Sequence, residues 1–189
     1  MKSGLVTFVG PMALEMGADF HPYSDRLLMR ALVGELRGES LLPEDHRPHK
    51  VLPGKAEGRL IGGCLSIVVT LLGTEYWGDI SGRILFLEEV GEKPFRIDRM
   101  LTHLRNAGVF DKIAGLILGD FVNCVDDEEE SPALEDMVRD IIGSRKLPVI
   151  AGMPFGHGKE KMTLPLGVRV RMNADQERLV FLEEAVKMK

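Results

Sequence analysis

Apolar residues in this chain fall into short dense runs, separated by longer stretches in which they recur every three or four positions. "GLVTFV", residues 4–9, predicts a short buried strand closed by Gly10 and Pro11. Leu28, Ala31, Leu32 and Leu36, spaced i, i+3, i+4 and i+8, predict one apolar face of a helix. "RGESLLPEDHRPHK" is polar and carries prolines, yet is short and keeps two leucines, so it reads as a surface connection within one domain. "GRLIGG" then turns into the apolar run 64–72, read as a buried helix, although a strand gives the same run.

Three units with one logic follow. "GRILFLEE" predicts a strand ending in acid; Pro94 stands at a first helical position, and Ile97, Met100, Leu101 and Leu104 form a helical face. "AGLILGD" predicts a second strand ending at Asp120, before the acidic "DDEEESP" and a helix with Leu134, Met137, Val138, Ile141 and Ile142 on one side. "KLPVIAG" is the third strand. Strands that are apolar throughout and alternate with amphipathic helices imply an α/β fold with a parallel sheet covered on its faces. "VRVRMN" and "RLVFLE" alternate around "ADQE" and predict a C-terminal antiparallel hairpin. Residues 1–189 form one domain on this reading. Residues 126–130 are read as a solvated acidic loop in preference to a metal-binding one.

Composition removes several function classes. A net charge of -5 and 6% aromatic residues leave neither a basic excess nor stacking platforms for nucleic acid. "CLSIVVTLLG" is far shorter than the roughly 20 residues that cross a bilayer, and the N-terminus lacks the apolar segment of a secretory signal, so a soluble, cytoplasmic protein is expected. The two cysteines, Cys64 and Cys124, have no CxxC spacing and suggest neither a disulfide framework nor a zinc site.

In open α/β sheets, functional groups gather beyond the carboxyl ends of strands. Glu88, Asp120 and His157 each stand at such an end. A carboxylate that orients an imidazole, which takes a proton from a nucleophile, is the arrangement acyl transfer needs. Glu88 is the better orienter because it follows the buried run Ile84–Leu87, whereas Glu89 points to the opposite face of the strand. The glycines flanking His157 permit close approach by a ligand or another segment. Cys64, after two glycines at a helix start, is a nucleophile candidate whose thiol pKa a helix N-terminus would lower. Ser66 sits inside the expected helix, and a metal site from His157, Asp120 and Glu88 lacks specific ligand spacing.

"GRLIGGCLSIVVTLLGTEYWGDISGRILFLEEVGEKPFRIDRMLTHLRNAGVFDKIAGLILGDF" together with "PVIAGMPFGHGKEKMTLPLGVRVRM" resembles the C-terminal domain of the LD-carboxypeptidase family of serine peptidases, from about Gly4 to the final hairpin. The resemblance implies a mixed β/α domain with a partly parallel, barrel-like curved sheet. It implies that Glu88 and His157 complete a Ser-His-Glu triad that removes a terminal D-amino acid from an L-centre in murein peptides, with no cofactor. It also implies that the nucleophilic serine belongs to an N-terminal domain preceding this segment, so none is expected in these 189 residues. Ser24, within "HPYSDRLL", has the Tyr-Ser-Asp triplet of the family's elbow, but follows "FVGP", where the elbow precedes it, and opens a helix, where serine is an ordinary cap. Cys64 and Val9 depart from the asparagine and histidine common at these places. A substrate carboxylate needs a cation, for which Arg59 and Lys159 are candidates by proximity to the motifs. The alternative is a catalytically inactive binding or oligomerisation module, and in either case a homodimer is expected.

Overall fold

The computed structural model describes residues 4–17, 19–38, 41–125 and 131–186; the acidic run 126–130 lies outside them. β1 is Thr7–Val9, β2 His49–Leu52, β3 Lys55–Cys64, β4 Ile84–Val90 and β5 Gly115–Val122. β6 is Val149–Ala151, β7 Leu164–Leu166, β8 Arg169–Asn173 and β9 Arg178–Phe181. The helices are α1 Pro22–Val33, α2 Leu65–Thr70, α3 Pro94–Asn106 and α4 Leu134–Ile142. Seven strands form one curled, half-barrel sheet in the order β2-β6-β5-β4-β3-β8-β9, and β1 pairs with β7 apart from it. β3, β4, β5 and β6 run parallel, while β2, β8 and β9 are added antiparallel at the two edges.

Side-chain alternation along β4 divides the interior in two. Leu85 and Leu87 join Leu116, Leu118 and Val149 in a core covered by α2, α3 and α4. Ile84 and Phe86 join Ile117, Ile150 and Leu60 in a second core, closed by α1 and the C-terminal strands. Both faces of the central strands are therefore dry, which is why β4 reads as an unbroken apolar run. Each such side chain contributes about 1.5–3 kcal/mol of transfer free energy. α3 starts with Pro94 at its first turn and buries Ile97, Met100, Leu101 and Leu104, and α4 buries Met137, Val138, Ile141 and Ile142, as their spacing predicts. The terminal hairpin pairs Val170 with Phe181 and Asn173 with Arg178.

Three expectations need correction, and a fourth is met in shorter form: the helix expected over 64–72 is α2, only six residues long, and "GRLIGG" before it is the inner half of a ten-residue strand, β3. The outer half of β3, paired with β8 but beyond the reach of β4, alternates exposed and half-buried side chains, so it has no apolar run to announce it. Gly62 is demanded by packing and makes no turn, since a Cβ there would overlap the Phe86 carbonyl on β4. The polar connection 37–50 ends inside β2, whose partner is the far edge of the parallel sheet. α1 buries Tyr23, Ser24, Leu27 and Ala31, leaving Leu32 half-exposed, so its face is turned from the one expected, and Leu36 is buried beyond the helix, past left-handed Gly34. β1 is half-exposed, because only β7 pairs with it.

Candidate active site

Glu88 stands at the last pair between β3 and β4, opposite Cys64 and two residues before β4 ends. It shares the face of Ile84 and Phe86, toward the second core, while Glu89 shares the face of Leu85 and Leu87. Its side chain is 5% exposed. The segment after β6 arrives at the same rim because it continues the ladder along β5: the Met153 N–H donates to the Leu118 carbonyl at 3.1 Å, and the Asp120 N–H to the Phe155 carbonyl at 2.9 Å. Phe155 packs edge-on against Phe86, with ring centroids 5.4 Å apart. His157 follows two residues later, and its Nδ1 lies 2.7 Å from Glu88 Oε2. The imidazole is 41% exposed, so one nitrogen is tied to a buried carboxylate and the rest of the ring faces out of the domain.

Physical contacts account for the glycines around the histidine. A Cβ on Gly156 would come 2.7 Å from Glu88 Oε2, and its φ of +114° is strained for any other residue. A Cβ on Gly158 would collide with the Asp120 carboxylate, which accepts a hydrogen bond from the Gly158 backbone. Two carboxylates thus seat the loop, Glu88 through the imidazole and Asp120 through the next peptide. Burial pushes the Asp120 carboxyl above the usual range, Gly158 and His46 oppose the rise, and the Glu88 and Glu160 carboxylates add to it.

The rest of the loop is strapped to α1 and the N-terminal segment. Ser24, fully buried in the first turn of α1, accepts from the Lys161 N–H at 2.8 Å. It is therefore not the helix cap, a position held by His21. His46 Nδ1 lies 3.3 Å from Glu160, and its Nε2 2.5 Å from the Gly152 carbonyl. The buried Lys161 ammonium pairs with Glu15. Nothing in the sequence marks His46, Glu15 or Lys161, because their partners lie more than 100 residues away.

Cys64 is the N-cap residue of α2, as its place after the glycines suggests, but its thiol is held in the neutral form. Burial raises its pKa, the Ser66 hydroxyl counters, and the Glu89 carboxylate, 3.2 Å from Sγ, raises it again. The helix N-terminus binds Glu89 itself, which accepts from the Ser66 N–H at 2.7 Å. The structure brings Cys64 and Ser66 to Glu89, and not to His157. Arg59, in the outer part of β3, donates to the Gly167 carbonyl at 2.5 Å and pairs with Glu183 at 3.2 Å, apart from the rim. Lys159 is exposed and lines a polar hollow of about 320 Å³ with His21, His46, Asp120 and Glu160. Among the described residues, no group of three His, Cys, Asp or Glu side chains is placed to hold a metal ion, and no hydroxyl or thiol hydrogen bonds to His157.

Residues 57–172 match the family model described as the LD-carboxypeptidase C-terminal domain. A probable murein peptide carboxypeptidase of Bacillus subtilis is 38% identical over 186 residues, covering 95% of this chain and 57% of the relative. Among solved structures, a muramoyltetrapeptide carboxypeptidase from Oxalobacter formigenes superposes with a TM-score of 0.75 at 29% identity, over 95% of this chain and 62% of that one. The microcin C7 self-immunity protein MccF in complex with glutamyl sulfamoyl guanosine gives 0.82 at 25% identity, over 98% and 63%. The chain thus spans less than two thirds of the length of these proteins. No helix of the described residues is long and apolar enough to cross a membrane.

Proposed function

Because this chain belongs to the LD-carboxypeptidase C-terminal domain family, we propose that it supplies the general base and its orienting carboxylate to a serine-type LD-carboxypeptidase acting on murein peptides in the cytoplasm. The observation that carries this reading is the 2.7 Å contact between a buried carboxylate and a half-exposed imidazole on the rim of the sheet. With the Glu88 carboxylate as acceptor, Nδ1 carries the proton and Nε2 presents a lone pair outward. A seryl hydroxyl from outside these 189 residues loses its proton to Nε2 as its oxygen attacks the carbonyl between the L-centre and the terminal D-amino acid. Glu88 stabilises the imidazolium that results, and Nε2 then returns the proton to the leaving amine. Water repeats the sequence on the acyl-enzyme. Every step is acyl or proton transfer, so no metal or organic cofactor enters.

The test is to combine this chain with a serine-bearing N-terminal segment, as a fusion or as two pieces, and to measure release of D-alanine from an L,D-linked murein tetrapeptide. Release is expected. His157→Ala and Glu88→Gln should each lower kcat by about 10²–10⁴-fold, with KM nearly unchanged and the fold retained. A folded complex with an intact serine that releases nothing, or a His157→Ala variant as fast as the parent, overturns the reading.

A further inference from the structure

A carboxypeptidase acts on a peptide whose free carboxylate lies one residue, about 3.6 Å of extended chain, beyond the scissile carbonyl. Once taken out of water, that carboxylate needs a cation or several N–H donors. A cation that this chain contributes to it borders the histidine loop. Arg59 is engaged away from the rim, and Lys159 is exposed on it.

Lys161 is different in kind. Its side chain is only 10% exposed, yet it lines a hollow of about 130 Å³ with Glu15, Asp19, Ser24, Gly158 and Lys159. An ammonium has three N–H donors. Among the described residues its side chain has one partner, Glu15, which also accepts the Met12 N–H at 2.8 Å. Because Lys161 lines the hollow, the donors that Glu15 does not use are open to a second anionic group that enters it. The backbone of Lys161 is fixed by the buried Ser24, and its ammonium is held by Glu15. The hollow borders the general base: Gly158 forms part of its wall, and the Glu15 carboxylate feels the charge of His157.

We infer that Lys161 is the residue that binds the terminal carboxylate of the substrate, in the hollow between the histidine loop and the Glu15 turn; this rests on the LD-carboxypeptidase reading above. Glu15 holds the ammonium in place and competes with the incoming anion. The two residues therefore act on affinity in opposite directions. A merely structural ion pair would be weakened alike from either side.

The experiment is titration calorimetry of the 189-residue chain with N-acetyl-D-alanine, and with N-acetyl-D-alaninamide as its uncharged counterpart. The carboxylate form should bind at least about tenfold tighter than the amide. Lys161→Met should abolish that preference, Glu15→Gln should widen it, and Lys159→Met should leave most of it. Thermal melts check that each variant folds, and the double variant Lys161→Met/Glu15→Gln, which removes the pair together, should also show no preference. Equal binding of the two probes overturns the inference, as does a preference lowered by Glu15→Gln as much as by Lys161→Met. Hydrolysis by the serine-completed enzyme separates the two proposals. Hydrolysis without a carboxylate preference removes only the Lys161 site, and a preference without hydrolysis removes only the peptidase reading.

Discussion

The side chain of Glu88 is set by a count of two along β4. One residue earlier or later in the strand, a carboxylate meets a different protein: Glu88 meets the histidine loop, and Glu89 meets the N-terminus of α2. Asp120, one strand away, shows the cost of a third carboxylate on the same rim. Its proton is held more tightly in the folded than in the unfolded chain, because burial and the nearby Glu88 and Glu160 disfavour its charge. The stability it contributes is present below the usual carboxylate pKa of about 3.9 and is lost as pH rises through the elevated value. Asp120→Asn, which keeps an acceptor for the Gly158 N–H, should therefore melt higher than the parent at pH 7, by about 2 °C. The gap should close on acidification below pH 3.9 or so; calorimetric melts across that range check it, and a lower melting temperature at pH 7 contradicts the assignment.

α2 is six residues long, too short to persist by propensity, and it is held from outside. Glu89 supplies an acceptor and a negative charge at its first turn, and takes a hydrogen bond from the Cys64 thiol. Burial pushes the Glu89 carboxyl up, but the Val90, Cys64 and Ser66 donors outweigh it and leave it below the usual range. Its contribution is thus present above the ordinary glutamate pKa and is lost as pH falls through the lowered value. Glu89→Gln should cost about 1–3 kcal/mol at pH 7 and progressively less below pH 4 or so, as urea denaturation would show. The same substitution should raise thiol reactivity at Cys64, because the carboxylate that disfavours the thiolate is gone. α2 is legible as the apolar run 64–72, whereas β3 is not, because its outer half alternates and two glycines interrupt its inner half. α3 and α4 were legible because each turns one continuous apolar stripe onto a single core.

Across the whole molecule, two cores lie on opposite faces of one sheet, and the site stands at the rim where the sheet ends. Exposed apolar side chains remain: Leu14 is 93% exposed, and Ile67 and Tyr76 are mostly so. Surfaces of this kind are commonly covered by a second chain or another segment. The homodimer expected from the sequence should sediment at twice 21.0 kDa. Leu14→Glu and Ile67→Glu, tested singly, should separate it if either side chain lies in the interface; a parent that sediments as a monomer at micromolar concentration overturns the dimer.

The sequence alone determined that central strands would be buried on both faces, that amphipathic helices would cover them, and that Glu88 would stand near the end of its strand, because periodicity and strand termini are local properties; His157, expected at a strand end, lies in the loop well past Ala151, where β6 stops. Tertiary structure decided what no local pattern encodes. It turned Glu88, and not Glu89, toward His157, and made Gly156 and Gly158 steric necessities of two carboxylates. It spent Cys64 on Glu89 and Arg59 on Glu183. It also buried Lys161 against Glu15, in the hollow that Gly158 helps to wall. Each of these depends on partners distant in the chain, and only the packed sheet brings them within a hydrogen bond of one another.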